Sequence, residues 1–314
     1  MKRKGLSIVI KAVFFLGVIG VVTGYVSEKY AETLYYKTAN GCYKFQNVPL
    51  DIEVANLGAS QSLYGFEYDV FEDYQAMNFA LAAQTFEYDY AIAETYISHI
   101  KKGAVMYIPI ALYSMYQQGD EIDSIQYRYY EFLPDRNNPG WNFNDAILYE
   151  YFPALTAGNN LLKIFNDDTE IPDVDEKLPN GYVQDDEMRV YAGIQAAGIH
   201  KEYIGEQKLS KQYLYLVKII ELCQKNDITP IMLVMPYTKE YIDAFDDAFW
   251  NKFYKDIQNT SEQYQCELYD YTKSDFCRHP EYFNDTTHMT KKGSIAFSED
   301  ILERTISDGY LEEK

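Results

Sequence analysis

The side chains in this sequence whose types and spacing suit acyl chemistry are one serine on a small-residue turn and one histidine three residues after an aspartate. The serine is Ser60, in Leu57-Gly58-Ala59-Ser60-Gln61-Ser62, which follows the apolar run Ile52-Glu53-Val54-Ala55. The histidine is His288, in Tyr282-Phe283-Asn284-Asp285-Thr286-Thr287-His288-Met289. A serine hydroxyl attacks a carbonyl only when a base takes its proton, and an imidazole base needs a third group to fix its tautomer and stabilise the imidazolium. Ser60, His288 and Asp285 supply nucleophile, base and orienter. Ser62 lies on the same turn and is the alternative nucleophile, but Ser60 directly follows the Gly58-x pair. Each half also has a plain structural reading. Gly-x-Ser turns are common, Asp285 can cap the helix that begins near Thr290, and His288 can be a surface residue.

Such a site needs a scaffold that brings residue 60 to residue 288. A β-branched strand that ends in glycine and small residues, then serine, reads as a strand-to-helix corner at the carboxyl edge of a parallel sheet, where open α/β folds place their ligands. The free N–H groups at the start of the following helix favour developing negative charge. Further strands are expected at Met77 to Phe79, Ala104 to Ile110, Thr229 to Pro236 and Glu267 to Tyr271. Helices are expected within Leu63 to Tyr74, from Tyr88 to Lys101 closed by Lys101-Lys102-Gly103, from a Ser210 cap to Asn226 with Leu214, Val217, Ile220 and Leu222 on its apolar side, and from Glu240 to Gln265. Alternating strands and helices predict a parallel doubly wound sheet, and the Asp285/His288 turn follows its last strand.

Gly58-Ala59-Ser60 near the start and Asp285-x-x-His288 near the end resemble the SGNH (GDSL-like) hydrolase superfamily. The closer likeness is to its membrane-anchored bacterial branch, similar to the DltD and alginate O-acetylation-type proteins, from about Asp51 to the C-terminus. The resemblance implies a flavodoxin-like three-layer α/β/α sandwich carrying acyl-ester chemistry on a Ser-His-Asp triad, with no cofactor and no metal. In the family's second block a glycine N–H donates to the oxyanion. Ala83 stands in that place, within Leu81-Ala82-Ala83-Gln84, and can supply the same N–H if its φ is negative; the alternative is a helix opening with small packing residues. The third block's Asn is absent, because the chain reads Ala111-Leu112-Tyr113-Ser114 there, which leaves Ser114 or a tyrosine as a substitute donor. Loss of one such donor costs on the order of 3 kcal/mol of transition-state stabilisation.

Composition narrows the partners. The 314 residues carry a formal net charge of −20, and the first 27 contain four basic side chains and no acid, which leaves −24 on the remainder. A body that acidic, without a basic stripe, repels nucleic acid. The 32 tyrosines and 17 phenylalanines can stack on sugars as well as fill a core. The four cysteines, Cys42, Cys223, Cys266 and Cys277, lack metal-site spacing; a Cys266–Cys277 bridge and isolated buried thiols are both open.

Residues 1–5 form a basic cytoplasmic tail, and residues 6–26 are long and apolar enough for a transmembrane anchor, with Lys11 near the cytoplasmic end. A cleaved signal peptide is the rival, but no small-x-small site precedes Glu28. Either way the body is exported. Residues 27–50 read as a stalk or first packing segment with a turn at Ala39-Asn40-Gly41, and residues 51–314 as the extracytoplasmic domain. An insertion at about 117–207 carries Pro134, Pro139-Gly140-Trp141, Pro153, an acidic run from Asp167 to Glu176 and Pro179-Asn180-Gly181, and is a candidate lid or acceptor-binding element. His99 and His200 belong to no motif and read as structural. By resemblance the substrate is an acylated glycan or envelope polymer, with a multispanning membrane acyltransferase as partner. The anchor favours acyl transfer over hydrolysis. A non-catalytic accessory that keeps the fold and binds polymer or partner is the alternative.

Overall fold

The computed structural model describes residues 2–118, 126–170 and 185–314. Met1, the side chains of Lys2 to Lys4, residues 171–176 of the acidic run and the Pro179-Asn180-Gly181 turn lie outside the described residues. The chain divides into two compact units, residues 1–46 with 123–172 and residues 47–122 with 173–314.

The first unit begins with helix α1 (Lys2–Ala31), in which Ile8–Ala31 is long and apolar enough to cross a membrane by length and composition. Its large apolar side chains, Phe14 and Val21 among them, are exposed. A short helix (Leu34–Thr38) and a 3-10 stretch (Ala39–Asn47) follow, and Gly41 takes φ +73°. Tyr30, Cys42 and Phe45 are buried, and Phe45 stacks on Phe132 with ring centroids 3.9 Å apart. Tyr30 to Asn47 is thus a packing segment rather than an extended stalk. Short helical turns between Tyr127 and Ile164 complete the unit.

The second unit is an α/β fold. Strands β1 (Ile52–Asn56), β2 (Ala76–Asn78), β3 (Ile100–Pro109), β4 (Thr229–Val234) and β5 (Glu267–Asp270) are all parallel and lie in the order β2-β1-β3-β4-β5. This is the flavodoxin-like order. Each strand expected from the sequence is present. Val54, Val105, Tyr107, Ile231, Leu233 and Tyr269 belong to one core cluster with Phe297 and Ile301. The alternate residues Ala55, Met106, Ile108, Met232 and Val234 are buried too, so the sheet is covered on both faces, as parallel sheets require. The chain leaves β1 for β2 on one side and then crosses to β3 on the other. The carboxyl ends of β1 and β3 therefore form the topological switch point.

Helices described around the sheet include α2 (Ser60–Gly65), α3 (Phe86–Tyr96), α4 (Asp186–Ile204), α5 (Lys211–Lys225), α6 (Asp247–Tyr264) and α7 (Lys291–Ser307). The Ser210 hydroxyl caps α5 by accepting the Gln212 N–H at 3.0 Å. Four sequence expectations need correction. The helix after Ser60 starts at Ser60 itself and stops at Gly65. Lys101-Lys102-Gly103 does not close α3 but lies in β3. Ile100 already pairs with Ile52 and Val105 with Val54, so these residues bulge, with Gly103 at φ +81° and its N–H on the Asp227 carbonyl. The buried face of α5 is Gln212, Leu216, Ile219, Ile220 and Cys223; Leu214 is exposed, because α5 packs against α3 through the neighbouring stripe. Glu240 to Gln265 is two helices, since the Asp246 carboxylate caps a fresh start by accepting the Phe249 N–H at 2.8 Å. Cys42, Cys223, Cys266 and Cys277 are buried thiols outside any disulfide, with Cys266 on the Pro230 carbonyl and Cys277 on that of Tyr271, each at 3.2 Å.

Candidate active site

Two short segments build the site. The first is the corner after β1. Gly58 takes φ +110°, and a Cβ there would lie 2.5 Å from Ser62 Oγ and 3.2 Å from Pro109 Cβ, so the turn needs glycine. Ala59 is extended and caps α2, which puts Ser60 at the first helical position. Ser62 is fully buried and donates its hydroxyl to the Leu57 carbonyl at 2.9 Å. Ser62 ties the corner together and Ser60 is left to face outward.

The second segment is the loop from Phe283 to Met289, whose ends pair as an antiparallel bridge with both side chains in the core. The Asn284 N–H donates to the His288 carbonyl at 2.8 Å, and the Thr238 N–H after β4 donates to the Thr286 carbonyl at 3.1 Å. Thr290, not Asp285, caps α7 by accepting the Gly293 N–H. Asp285 is thereby free to serve its own loop. One of its carboxylate oxygens accepts the N–H groups of Thr287 and His288, each at 2.8 Å, and the other lies 2.6 Å from His288 Nδ1.

Across the gap, His288 Nε2 is 2.8 Å from Ser60 Oγ. Residues 60, 285 and 288 thus form one continuous hydrogen-bonded chain. Burial works against the Asp285 carboxylate, but the imidazole and the two backbone N–H groups overcome it and hold its pKa below the usual aspartate value. Asp285 stays ionised, and an ionised partner on Nδ1 keeps the proton there and leaves the Nε2 lone pair to accept from Ser60. The edge of the Tyr64 ring meets His288 at a centroid distance of 5.7 Å.

The two residues expected at the oxyanion sit differently. Ala83 is exposed on the turn after β2, where the Leu81 N–H donates to the Gly58 carbonyl at 3.2 Å. Its φ is +56°, not the negative value on which its donor role was expected to depend, because a tight turn must join β2 to the Thr85 cap of α3. The Ser114 hydroxyl donates to the Ala111 carbonyl at 2.9 Å, so its proton is spent on its own turn. Among the described residues, neither the Ser60 N–H nor the Ala83 N–H is committed to another group.

Two contributors escaped the sequence reading. Asp89, on α3, is buried and accepts the Gly58 N–H at 2.7 Å and the Gln84 side-chain amide at 2.6 Å. It holds the corner from beneath. A cavity of about 20 Å³, enough for one water molecule, adjoins Gly58, Ser62, Gln84 and Asp89. Burial pushes the Asp89 pKa up to about 7, against the pull of its two donors. Between pH 4 and 7 the native state thus keeps a proton that the unfolded chain has lost, and stability falls as pH rises through that window, with a slope on the order of 1 kcal/mol per pH unit. Asp89→Asn removes this dependence. Urea unfolding at pH 4 to 8 is expected to show the variant gaining on the wild type up to pH 7 and no further.

His200, on α4, is the other. Its ring lies 4.5 Å from that of Tyr113, and its Nδ1 is 2.6 Å from the Tyr241 hydroxyl. Burial, and then the charge of His288, push its pKa down to about 4, so it is neutral at physiological pH. It is near enough to feel His288 and Asp285. Spacing along the chain carries no trace of that proximity.

No curated protein matches the chain. Among solved structures it is similar to a protein described as an acylhydrolase from Bacteroides fragilis NCTC 9343, at 12% identity and a TM-score of 0.40 over 86% of this chain and 95% of that one. It is also similar to a GDSL-like lipase from Bacteroides thetaiotaomicron VPI-5482, at 11% identity and a TM-score of 0.38 over 89% of this chain and 98% of that one. By sequence, residues 192–303, from α4 through Asp285 and His288 into α7, match the family model described as DltD protein, within a parallel α/β fold.

Proposed function

We propose that this protein is a membrane-anchored serine acyl-esterase or acyltransferase that works on O-acyl groups of cell-envelope glycans or related polymers. The observation that carries the reading is the 2.8 Å approach of Ser60 Oγ to His288 Nε2, with Asp285 on the opposite ring nitrogen. Ser60 Oγ attacks the acyl carbonyl and its proton passes to His288 Nε2, while Asp285 stabilises the imidazolium. The oxyanion meets the Ser60 N–H; Ala83, at φ +56°, does not meet the condition set for a second donor. Collapse expels the polymer alkoxide, which takes the proton from His288, and leaves the acyl group on Ser60. Water or a glycan hydroxyl then gives its proton to His288 and attacks the acyl carbonyl, and Ser60 Oγ leaves and takes that proton back from His288. Residues 6–26 would be the anchor, with 1–5 cytoplasmic and the body from 27 onward outside the cell. The first unit would dock a multispanning membrane acyltransferase.

The purified full chain is expected to turn over p-nitrophenyl acetate, and an added glycan acceptor should divert the acyl group from water. Ester turnover no faster than that of Ser60→Ala would remove the enzyme reading. One observation favours a second reading, an accessory that binds polymer without turnover. With Ser114 donating to Ala111 and no Asn in its block, neither expected side chain of that block supplies the oxyanion with a donor. A folded wild type that binds acylated polymer without cleaving it would select that alternative.

A further inference from the structure

The first unit contains a cavity of about 600 Å³ lined by Tyr30, Tyr35, Tyr36, Tyr127, Tyr149 and Glu131 among others. The Tyr127 and Tyr149 rings stack at 5.1 Å, Tyr30 meets Tyr36 edge-on at 5.3 Å, and the Tyr36 hydroxyl donates to the Tyr149 carbonyl at 3.2 Å. The aromatic wall is therefore assembled from both the α1 end of the unit and its 126–170 segment. Glu131 is half-buried in this wall with no hydrogen bond or ion pair to any described residue. Lys163 lies over the Tyr35 ring, but it is ion-paired with Asp168. Among the described residues, no basic side chain lines the cavity.

An uncompensated carboxylate among phenol rings is costly by itself. Burial accordingly pushes the Glu131 pKa up to about 8. A ligand that brings positive charge relieves that cost, and the negative faces of tyrosine rings attract the same charge. A neutral sugar would satisfy the stacking but leave the carboxylate uncompensated.

We propose that this cavity binds a substituted ammonium group, held by the tyrosine faces and neutralised by Glu131. The group could come from a free amine or from a lipid headgroup; the chemistry recognised is the same. The site stands independently of the reading given to Ser60.

The test is calorimetric titration of the full chain in dodecyl maltoside with choline, ethanolamine and the neutral isostere 3,3-dimethylbutan-1-ol. The same protein is then placed in nanodiscs of phosphatidylethanolamine or of phosphatidylglycerol. At least one free amine is expected to bind tenfold or more tightly than the neutral isostere, and Glu131→Gln to abolish that preference. If a lipid headgroup is the source, phosphatidylethanolamine discs should block the free amine and phosphatidylglycerol discs should not; if a free amine is, neither should block. Tyr149→Leu should weaken the amine at least fivefold while Ser60 turnover is unchanged. Equal binding of amine and isostere, or unchanged amine affinity in a folded Glu131→Gln, would overturn the proposal.

Discussion

Ser60→Ala and His288→Ala are each expected to lower kcat/KM for p-nitrophenyl acetate by roughly a thousandfold or more, and the double variant to be little worse than either. The reason is that the two side chains act as one unit. With the 2.8 Å contact removed at either end, the hydroxyl cannot lose its proton as it attacks. Asp285→Asn should be nearly as damaging through a different fault. An amide opposite Nδ1 allows the wrong tautomer and cannot stabilise the imidazolium, so the loss should fall on kcat rather than KM. Ser62→Ala separates nucleophile from scaffold: its hydroxyl is bound to the Leu57 carbonyl, so it should cost some stability and little chemistry. The four variants are compared by steady-state kinetics on proteins with matched circular dichroism.

The second large effect is expected at Gly58. Alanine there would sit at φ +110° with its Cβ 2.5 Å from Ser62 Oγ, and backbone strain and overlap together should cost about 2–4 kcal/mol. The damage is not confined to folding. Gly58 N–H donates to Asp89 and Ser60 lies two residues on, so a displaced corner moves the nucleophile off Nε2. Gly103→Ala is the control, because Gly103 also has a positive φ, +81°, but open space at its Cβ. Thermal unfolding should place Gly58→Ala well below Gly103→Ala, and only the former should also lose ester turnover.

Much of the scaffold was legible from the chain. β1, β3 and β4 announce themselves as β-branched runs ending in turn residues, β5 as a short run around Leu268 and Tyr269, and the order Ser60, Asp285, His288 suits a sheet whose switch point lies after β1. What stayed hidden is what depends on contacts between distant residues. Lys101-Lys102-Gly103 looks like a helix end because the same residue types serve a β-bulge. Asp89 looks like an ordinary acid in the first turn of a helix, favoured there by the dipole, and only its burial under Gly58 gives it a second task. His200 carries no motif, yet it lies close enough to His288 for that charge to act on it. Ala83 and Ser114 were located by block order, but block order does not encode φ or the direction of a hydroxyl. Glu131 and its tyrosines are scattered over more than a hundred positions and form a cavity only once the first unit folds.

The central claim is that Ser60 is a hydroxyl activated by His288. It is tested most directly by treating the full chain with a fluorophosphonate and mapping the adduct by peptide mass spectrometry. The account predicts a single adduct on Ser60, absent from Ser60→Ala, strongly reduced in His288→Ala and retained in Ser62→Ala. A folded protein that takes up no label at Ser60, or labels equally well without His288, would contradict it.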